Sequence, residues 1–326
     1  MDLQLRKNHK LTGLKMLTDK KRVILVVGPT AVGKTRFAIE LAKNIGGEII
    51  SADSRYLYRG MDVGTAKPTP KELNTIPHYM INVADPDEVW SLAAYQNETV
   101  RLINEILDKG KFPIIVGGTG QYIRALTEGW QVPEMVPNTA LRNVLMDWGD
   151  QIGAGELHRK LAVLDTIAAD FIDASNIRRT IRALEVIFTT GKRFSELRVK
   201  DGPAYDYWII GLIMPRKELF ARADERVDVM LKGGLVSEVK GLLDRGYNPL
   251  LSSMSAIGYK EVALYLEGKI TLDEARQLIK KNTHQFIRRQ ANWFKPTDSR
   301  IHWYQMDPYP LEIALRDLAD KELGNT

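Results

Sequence analysis

The sequence predicts an α/β fold, with a parallel sheet core, a helical insertion domain and a helical C-terminal region. The first observation is a β-branched apolar run that ends in glycine, followed by a helical pattern and a second apolar run, which is typical of a βαβ unit. The second is a central stretch without any β-rich run. The third is the return of helical patterns, broken by glycines, past Met214.

The βαβ unit occupies the first residues after a basic leader. A strand is expected from Arg22 to Val27, because this run is apolar and β-branched. The segment from Thr35 to Lys43 places its apolar side chains on one face of a helix. A second buried strand is expected from Glu48 to Ala52. Because the two strands are joined through a helix, they should be parallel.

Two further strands are expected at Phe112 to Val116 and at Tyr207 to Met214. Helices should precede them, at Ser91 to Lys109 and at Asn176 to Thr189. The domain boundaries follow from these elements. We expect a loose basic leader at 1–21, whose order the sequence leaves open, a core formed by 22–131 and 174–326, and a helical insertion domain at 132–173, which opens with two prolines.

Composition limits the function classes. With 46 Lys and Arg against 41 Asp and Glu, the net charge of +5 is compatible with a polyanionic partner. The absence of cysteine excludes disulfides, thiolate zinc sites and a cysteine nucleophile. The first residues lack the unbroken apolar stretch of a signal peptide, and no segment reaches the roughly 18 apolar residues of a membrane span. We expect a soluble cytoplasmic protein that does not associate with membranes.

The segment GPTAVGKT, at 28–35, has the spacing of a phosphate-binding P-loop, and it follows a strand and opens a helix. It therefore predicts a P-loop NTPase-like core. Lys34 should supply a cation to phosphate oxygens, and the Thr35 hydroxyl should ligate Mg²⁺ as the expected cofactor. The residues expected to hold the phosphates are Gly28, Pro29, Thr30, Ala31, Val32, Gly33, Lys34 and Thr35.

The loop alone leaves several chemistries open, because P-loops serve kinases, ATPases and enzymes for which diphosphate is a leaving group. A P-loop enzyme that transfers a phosphoryl group usually carries a metal-binding Walker B carboxylate at the end of a later strand. Here the candidate strand, FPIIV at 112–116, is followed by GGTG, which contains no acidic residue. Asp53 is the acid that leaves the second strand at the edge where open sheets bind ligands. It is either a turn or cap residue or a general base facing the phosphate. Thr119 is likewise either a turn residue or part of the site.

The ordered motifs GPTAVGKT, SADSRYLYRGMDVGTAKP, VGGTGQY, RRTIRALEV and SAIGYKE resemble the motif set of the tRNA dimethylallyltransferase family and span 28–261. The resemblance implies transfer of the dimethylallyl group of dimethylallyl diphosphate to N6 of the adenine 3′ of the anticodon, with release of diphosphate and use of Mg²⁺. The P-loop would then grip the departing diphosphate. The partners would be the tRNA anticodon stem-loop and dimethylallyl diphosphate, and we expect a monomer.

The same resemblance implies roles for individual residues. Asp53 would accept the N6 proton, Thr119 would lie near the reacting amine or the bridging oxygen, and Lys34 would complete the catalytic set. Arg222 would bind the diphosphate, together with Arg226. The insertion domain would contact tRNA. The residues implied to contact tRNA are Asp53, Ser54, Arg55, Tyr56, Thr119, Arg142, Arg178, Arg179, Thr180, Ile181 and Arg182.

Three departures from the family pattern are visible. The chain has IDASN at 172–176 where the family commonly has IHPND, and Tyr56 where many members carry glutamine. The stretch that ends in ANWF at 291–294 resembles a late basic motif of the family that ends in TWF, but it has His284 where that motif has arginine. Three alternative functions remain open at this point: a prenyltransferase acting on free adenylate, a P-loop kinase for a small molecule or nucleotide, and an RNA-binding regulator with a relict loop.

Overall fold

A computed structural model describes residues 21–130, 138–197 and 202–323. Its centre is one six-stranded sheet in the order β3-β2-β4-β1-β5-β6, in which every pairing is parallel. The strands are β1 (Arg22–Val27), β2 (Gly47–Ser51), β3 (His78–Tyr79), β4 (Phe112–Val116), β5 (Asp206–Ile213) and β6 (Ile301–Gln305). The predicted α/β fold with a parallel sheet is confirmed.

The helices before the last third of the chain are α1 (Lys34–Ile45), α2 (Pro70–Leu73), α3 (Leu92–Asp108), α4 (Gly120–Thr127), α5 (Thr139–Ile152), α6 (Ala154–Leu164), α7 (Thr166–Phe171) and α8 (Ile177–Thr190). Those that follow are α9 (Arg216–Lys232), α10 (Leu235–Asp244), α11 (Tyr259–Leu266), α12 (Leu272–Trp293) and α13 (Leu311–Leu323), with a 3₁₀ turn at Ser253–Ser255. Asn176 caps α8, since its side chain accepts from the Arg179 N–H at 3.2 Å.

The sheet core forms where the sequence is most apolar. All six residues of β1 are buried, and β1 lies between β4 and β5 with Ile24 opposite Ile114 on one side and Trp208 on the other. The apolar face of α1, including Phe37 and Leu41, packs into the same core. Each fully buried side chain of this size contributes roughly 1.5–3 kcal/mol. The P-loop is therefore held between a buried strand and a buried helix face.

Four strands agree with the predictions to within one residue at each end. The sequence analysis missed β3 and β6. β3 has only two residues and pairs with β2 through Ile49 and Ile50, so it carries no periodicity of its own. β6, with the sequence IHWYQ, lies beyond a long helix, and its place beside β5 is set by tertiary contacts.

The chain divides into two compact units. The first holds the sheet and comprises the described residues up to 91, 95–123 and from 204 onward. The second comprises Leu92–Ala94 and Arg124–Pro203. It has its own core, in which Ile181 and Leu184 of α8 pack with Leu145, Leu157 and Leu161. The predicted insertion domain, 132–173, omits α8, whereas α8 lies in the second unit because its apolar face contributes to that core.

Residues 1–20 of the predicted leader and residues 131–137 at the start of the predicted insertion lie outside the described residues. Among the helices of the described ranges, none is both long enough and apolar enough to cross a membrane.

Candidate active site

The P-loop connects β1 to α1, and its turn requires glycine. Gly28 has φ of 145°, and a Cβ on it would lie 2.6 Å from the carbonyl oxygen of Leu212. Gly33 has φ of 106° and is the N-cap residue of α1. Residues that carry a side chain rarely adopt these positive φ angles, so both positions favour glycine. The loop thus presents backbone N–H groups at a helix N-terminus, which is an anion-binding arrangement.

Lys34 is the cation that the loop supplies. Its Nζ donates to the Pro29 carbonyl at 2.8 Å, which folds the side chain back over the loop. Burial lowers the pKa of Lys34 from 10.5 to about 8; the Asp53 carboxylate opposes this shift, and the Arg226 charge adds to it. The ammonium is therefore held in an environment that favours a nearby anion.

Asp53 lies just beyond the end of β2. Its backbone N–H donates to Ser51 Oγ at 3.2 Å, and its Oδ1 accepts from the Arg55 N–H at 2.9 Å. Among the described residues, no hydrogen-bond partner is found for Oδ2, and the side chain lines the same cleft as Lys34. One carboxylate oxygen is thus used to fix the turn, and the other is available to a ligand.

Thr119 follows β4 and is joined to the Asp53 turn. The Thr119 N–H donates to the Ala52 carbonyl at 3.2 Å, and the Thr119 hydroxyl accepts from the Ser54 N–H at 3.1 Å. A Cβ on Gly117 would lie 2.2 Å from the Ala52 oxygen, so the close approach of the two loops needs glycine there. The structure therefore brings Asp53 and Thr119, far apart in sequence, to one sheet edge.

Two arginines of α9 reach the same cleft. Arg226 donates to the Thr65 carbonyl at 3.0 Å and to Thr30 Oγ1 at 3.4 Å. Arg222 lines the cleft, and its Nη1 lies 3.9 Å from Met214 Sδ. Together with Lys34, these side chains concentrate positive charge beside the P-loop, which suits a diphosphate.

The two residues after Ser54 are held within the protein. The Arg55 guanidinium donates to the carbonyls of Ser252 and Ser253, at 2.7 and 3.3 Å, and to Ser255 Oγ at 3.2 Å. The Tyr56 hydroxyl donates to the Ala66 carbonyl at 2.7 Å, and burial raises the pKa of Tyr56. Both residues therefore connect the Asp53 turn to neighbouring loops.

These side chains surround a cleft of about 940 Å³ in the first unit. The predicted site residues that line it are Thr30, Ala31, Gly33, Lys34, Thr35, Asp53, Ser54, Arg55, Tyr56, Thr119 and Arg222. Sequence reasoning missed Gln290 of α12, which also lines the cleft and is 4% exposed. Composition and periodicity do not reveal its role, because its hydrogen-bond partners are in loops more than 170 positions away in the chain.

The remaining predicted tRNA contacts lie in the second unit. Arg178 and Arg179 are exposed on α8, whereas the side chains of Thr180 and Ile181 are buried and offer RNA no side-chain surface. Arg179 also lies over the Phe171 ring, with its guanidinium carbon 5.7 Å from the ring centre. The predicted segment 178–182 thus has both an exposed and a buried face.

Arg142 and Arg182 share one buried acid. Glu185, which is 0% exposed, accepts from Arg142 Nε at 2.9 Å, from Arg182 Nη1 at 2.7 Å and from the Asn138 N–H at 3.0 Å. Burial alone would raise the pKa of Glu185, but the hydrogen bonds from Arg182, Arg142 and Asn138 outweigh it and hold that pKa below its usual range. Both arginines thus have a structural partner inside their own unit.

The residues around the P-loop fit a magnesium ion. Mg²⁺ prefers oxygen ligands and is usually bound by one or two protein groups plus phosphate oxygens and water. Thr35 and Asp53 offer a hydroxyl and a carboxylate in the same cleft. In the part of the chain that the structure describes, no cluster of three or more His, Cys, Asp or Glu side chains is placed to hold a metal. A metal would therefore depend on the diphosphate for part of its coordination.

A sequence model of the family described as IPP transferase matches residues 56–297, which is more than half of the chain. The chain belongs to this family. A curated relative of the IPP transferase family, the tRNA dimethylallyltransferase of Thermomicrobium roseum, is 44% identical over 307 residues, covering 94% of this chain and 93% of that protein.

Solved structures of family members agree with this assignment. The tRNA isopentenylpyrophosphate transferase of Bacillus halodurans is 38% identical, with a TM-score of 0.69 over 94% of this chain and 98% of that one. A eukaryotic dimethylallyltransferase acting on tRNA is 27% identical, with a TM-score of 0.77 over 91% of this chain and 77% of that one. The family resemblance and the P-loop NTPase-like fold predicted from the motifs are both confirmed.

Proposed function

We propose that this protein is a tRNA dimethylallyltransferase, which transfers the dimethylallyl group of dimethylallyl diphosphate to N6 of the adenine 3′-adjacent to the anticodon and releases diphosphate. The observation that carries the proposal is the pairing of a P-loop with Asp53 and Thr119 at one sheet edge, where a kinase would carry a second metal-binding acid after β4. The relatives named tRNA dimethylallyltransferase support the same conclusion.

The P-loop side of the cleft serves the leaving group. When the bond from the allylic carbon to the diphosphate oxygen breaks, negative charge grows on the diphosphate. Lys34, the loop N–H groups and Arg222 are arranged to neutralise that charge. Mg²⁺ would be held by the Thr35 hydroxyl and diphosphate oxygens, and it supplies further charge neutralisation when bound.

The Asp53 side of the cleft serves the acceptor. The adenine N6 forms a bond to the allylic carbon and loses one proton, which the open Oδ2 of Asp53 accepts as a general base. Thr119 is held beside Asp53 by the Ser54 N–H and orients the reacting groups. The target adenine must leave its stack to reach this cleft, as bases modified by enzymes do.

The exposed arginines Arg178 and Arg179 provide positive charge for RNA in the second unit. A prenyltransferase that uses free adenylate would need no such surface. A small-molecule kinase is disfavoured because no carboxylate follows β4. Because the proposed substrate is tRNA, we expect the enzyme to act in the cytoplasm. We also expect it to act as a monomer.

One assay distinguishes the candidates. The protein is incubated with labelled dimethylallyl diphosphate and Mg²⁺, in separate reactions with unmodified tRNA, with AMP and without acceptor. We expect label on tRNA at N6 of the adenine next to the anticodon and none on AMP. Label on AMP would favour the free-nucleotide enzyme. Binding of tRNA with no turnover of any acceptor would favour a regulator.

A further inference from the structure

Gln290 connects the two loops that hold the two substrates. We propose that Gln290 is a positioning residue that sets the separation between the P-loop and the Thr119 loop, and so between the leaving group and the acceptor amine. The inference rests on the proposed function, because only a transfer reaction between these loops makes their separation important.

The geometry is specific. The side-chain oxygen of Gln290 accepts from the Thr30 N–H at 2.8 Å, and its Nε2 donates to the Gly118 carbonyl at 3.2 Å. The first partner belongs to the P-loop and the second directly precedes Thr119. An N–H can only meet the amide oxygen, and a carbonyl can only meet the amide nitrogen, so the two partners fix the orientation of the amide.

The loops are packed against Gln290 without spare room. A Cβ on Gly118 would lie 2.2 Å from Nε2 of Gln290. One helical turn later, Trp293 lies against Gly120, where a Cβ would be 2.1 Å from Cγ of the ring. The last turn of α12 thus packs against Gly118 and Gly120, which flank Thr119. Because the Gln290 amide is buried there, leaving it without hydrogen-bond partners would be costly.

Gln290 acts through the loops rather than on the reacting atoms. Because the Thr30 N–H donates to Gln290, that N–H fixes the loop shape instead of binding phosphate. The neighbouring Thr30 hydroxyl lies 3.4 Å from Arg226 Nη1, so a shift of the loop would also disturb an arginine that lines the cleft. A displacement of about 1 Å between reacting groups can lower a rate about a hundredfold.

The test compares Gln290→Met, which removes both hydrogen bonds at similar size, with Gln277→Met, which makes the same change at an exposed position of α12. We expect Gln290→Met to lower kcat about 10- to 100-fold per active site, counted by titration with dimethylallyl diphosphate. The KM for tRNA should change less than about threefold, and the control should match the wild type.

A second variant separates positioning from folding. Gln290→Glu keeps an oxygen for the Thr30 N–H but faces the Gly118 carbonyl with another oxygen. A protonated carboxyl can donate to that carbonyl, so the ratio of variant to wild-type kcat should rise as the pH is lowered from 8.5 to 6. A purely structural role would lower the fraction of active protein and the melting temperature and leave this ratio flat.

The two proposals fail in different ways. A wild-type protein that transfers no label to tRNA contradicts the proposed function. An active wild type with unchanged kcat per active site in Gln290→Met, or a flat pH ratio in Gln290→Glu, contradicts the role of Gln290.

Discussion

Arginine and lysine side chains are arranged differently in the two units of this protein. In the sheet unit, Lys34 and Arg226 hydrogen-bond backbone carbonyls of nearby loops, at 2.8 and 3.0 Å, and concentrate charge around one cleft. In the second unit, Arg142 and Arg182 bind the buried Glu185, while Arg178 is exposed. Similar residue types thus line a cleft in one unit, and serve internal structure or surface charge in the other.

The difference shows that a basic motif cannot be assigned to a ligand as a whole. Within the five residues 178–182, two side chains are buried and one is bonded to Glu185. The cleft charges should therefore control turnover and substrate affinity, whereas Glu185 and its partners should control stability.

The largest expected effect is on Asp53. Asp53→Asn keeps an oxygen for the Arg55 N–H but removes the base, so we expect turnover to fall at least about a hundredfold. Affinity for tRNA should stay within a few-fold, because the turn is preserved. Single-turnover rates and binding by filter retention measure the two quantities. Near-normal turnover would remove Asp53 from the reaction.

The second expected effect concerns Lys34. Lys34→Met should weaken binding of dimethylallyl diphosphate about 10- to 100-fold, since a charged hydrogen bond to phosphate contributes roughly 1.5–3 kcal/mol. In the wild type, the Lys34 pKa of about 8 means that the ammonium loses its proton as the pH rises through 8. Diphosphate binding requires the charged form, so affinity should be level below that pH and decline above it.

Calorimetric titrations from pH 7 to 9.5 on wild type and Lys34→Met isolate this ionisation, because titration of the ligand itself is common to both. A wild-type profile parallel to that of the variant would show that Lys34 does not bind the diphosphate.

The third expected effect is on the stability of the second unit. Glu185→Ala leaves the Asn138 N–H and two guanidinium groups without their acceptor, and we expect the free energy of unfolding to fall by about 1–3 kcal/mol. Because the pKa of Glu185 is held below its usual range, its contribution should be present above the unfolded pKa and lost as pH falls through the lowered value.

The matched control is Glu156→Ala, whose partners Arg159 and Lys160 lie on the surface of the same unit. Ion pairs at such exposed positions contribute little to the free energy of unfolding, because water and salt screen them. Urea unfolding at pH 7 and pH 4 compares the variants. Equal losses at both sites would mean that the burial of Glu185 has no energetic consequence.

The smallest effect is expected at Arg178. Arg178→Ala should weaken tRNA binding a few-fold and make the slope of log affinity against log salt shallower by about one, because one phosphate contact is lost. Its stability should match the wild type. Arg182→Ala should instead lower stability, because Glu185 loses a partner. An unchanged salt slope in Arg178→Ala would exclude an RNA contact at this position.

The sequence predicted the features that depend on local pattern. The strands β1, β2, β4 and β5 carry their own apolar runs, and the P-loop and Asp53, both recognised from the sequence, line one cleft. What it missed depends on distant partners. β3 exists only by pairing with β2, and Gln290 acquires its importance from Thr30 and Gly118, far away in the chain.

The pairing of Arg182 with Glu185 had a local signal, because opposite charges three residues apart on a helix are neighbours. The burial of Glu185 had no such local signal, because this burial results from the packing of α8 with α5 and α6 in the core of the second unit.

The most direct test of the central claim, that the P-loop holds a departing diphosphate while Asp53 accepts a proton from adenine N6, is a single-turnover reaction. Enzyme loaded with Mg²⁺ and doubly labelled dimethylallyl diphosphate is mixed with a tRNA anticodon stem-loop and quenched over time. We expect diphosphate and N6-modified adenine to appear at the same rate in equal amounts, and neither product without RNA. Release of diphosphate without the modified base, or cleavage of ATP in its place, would contradict the account.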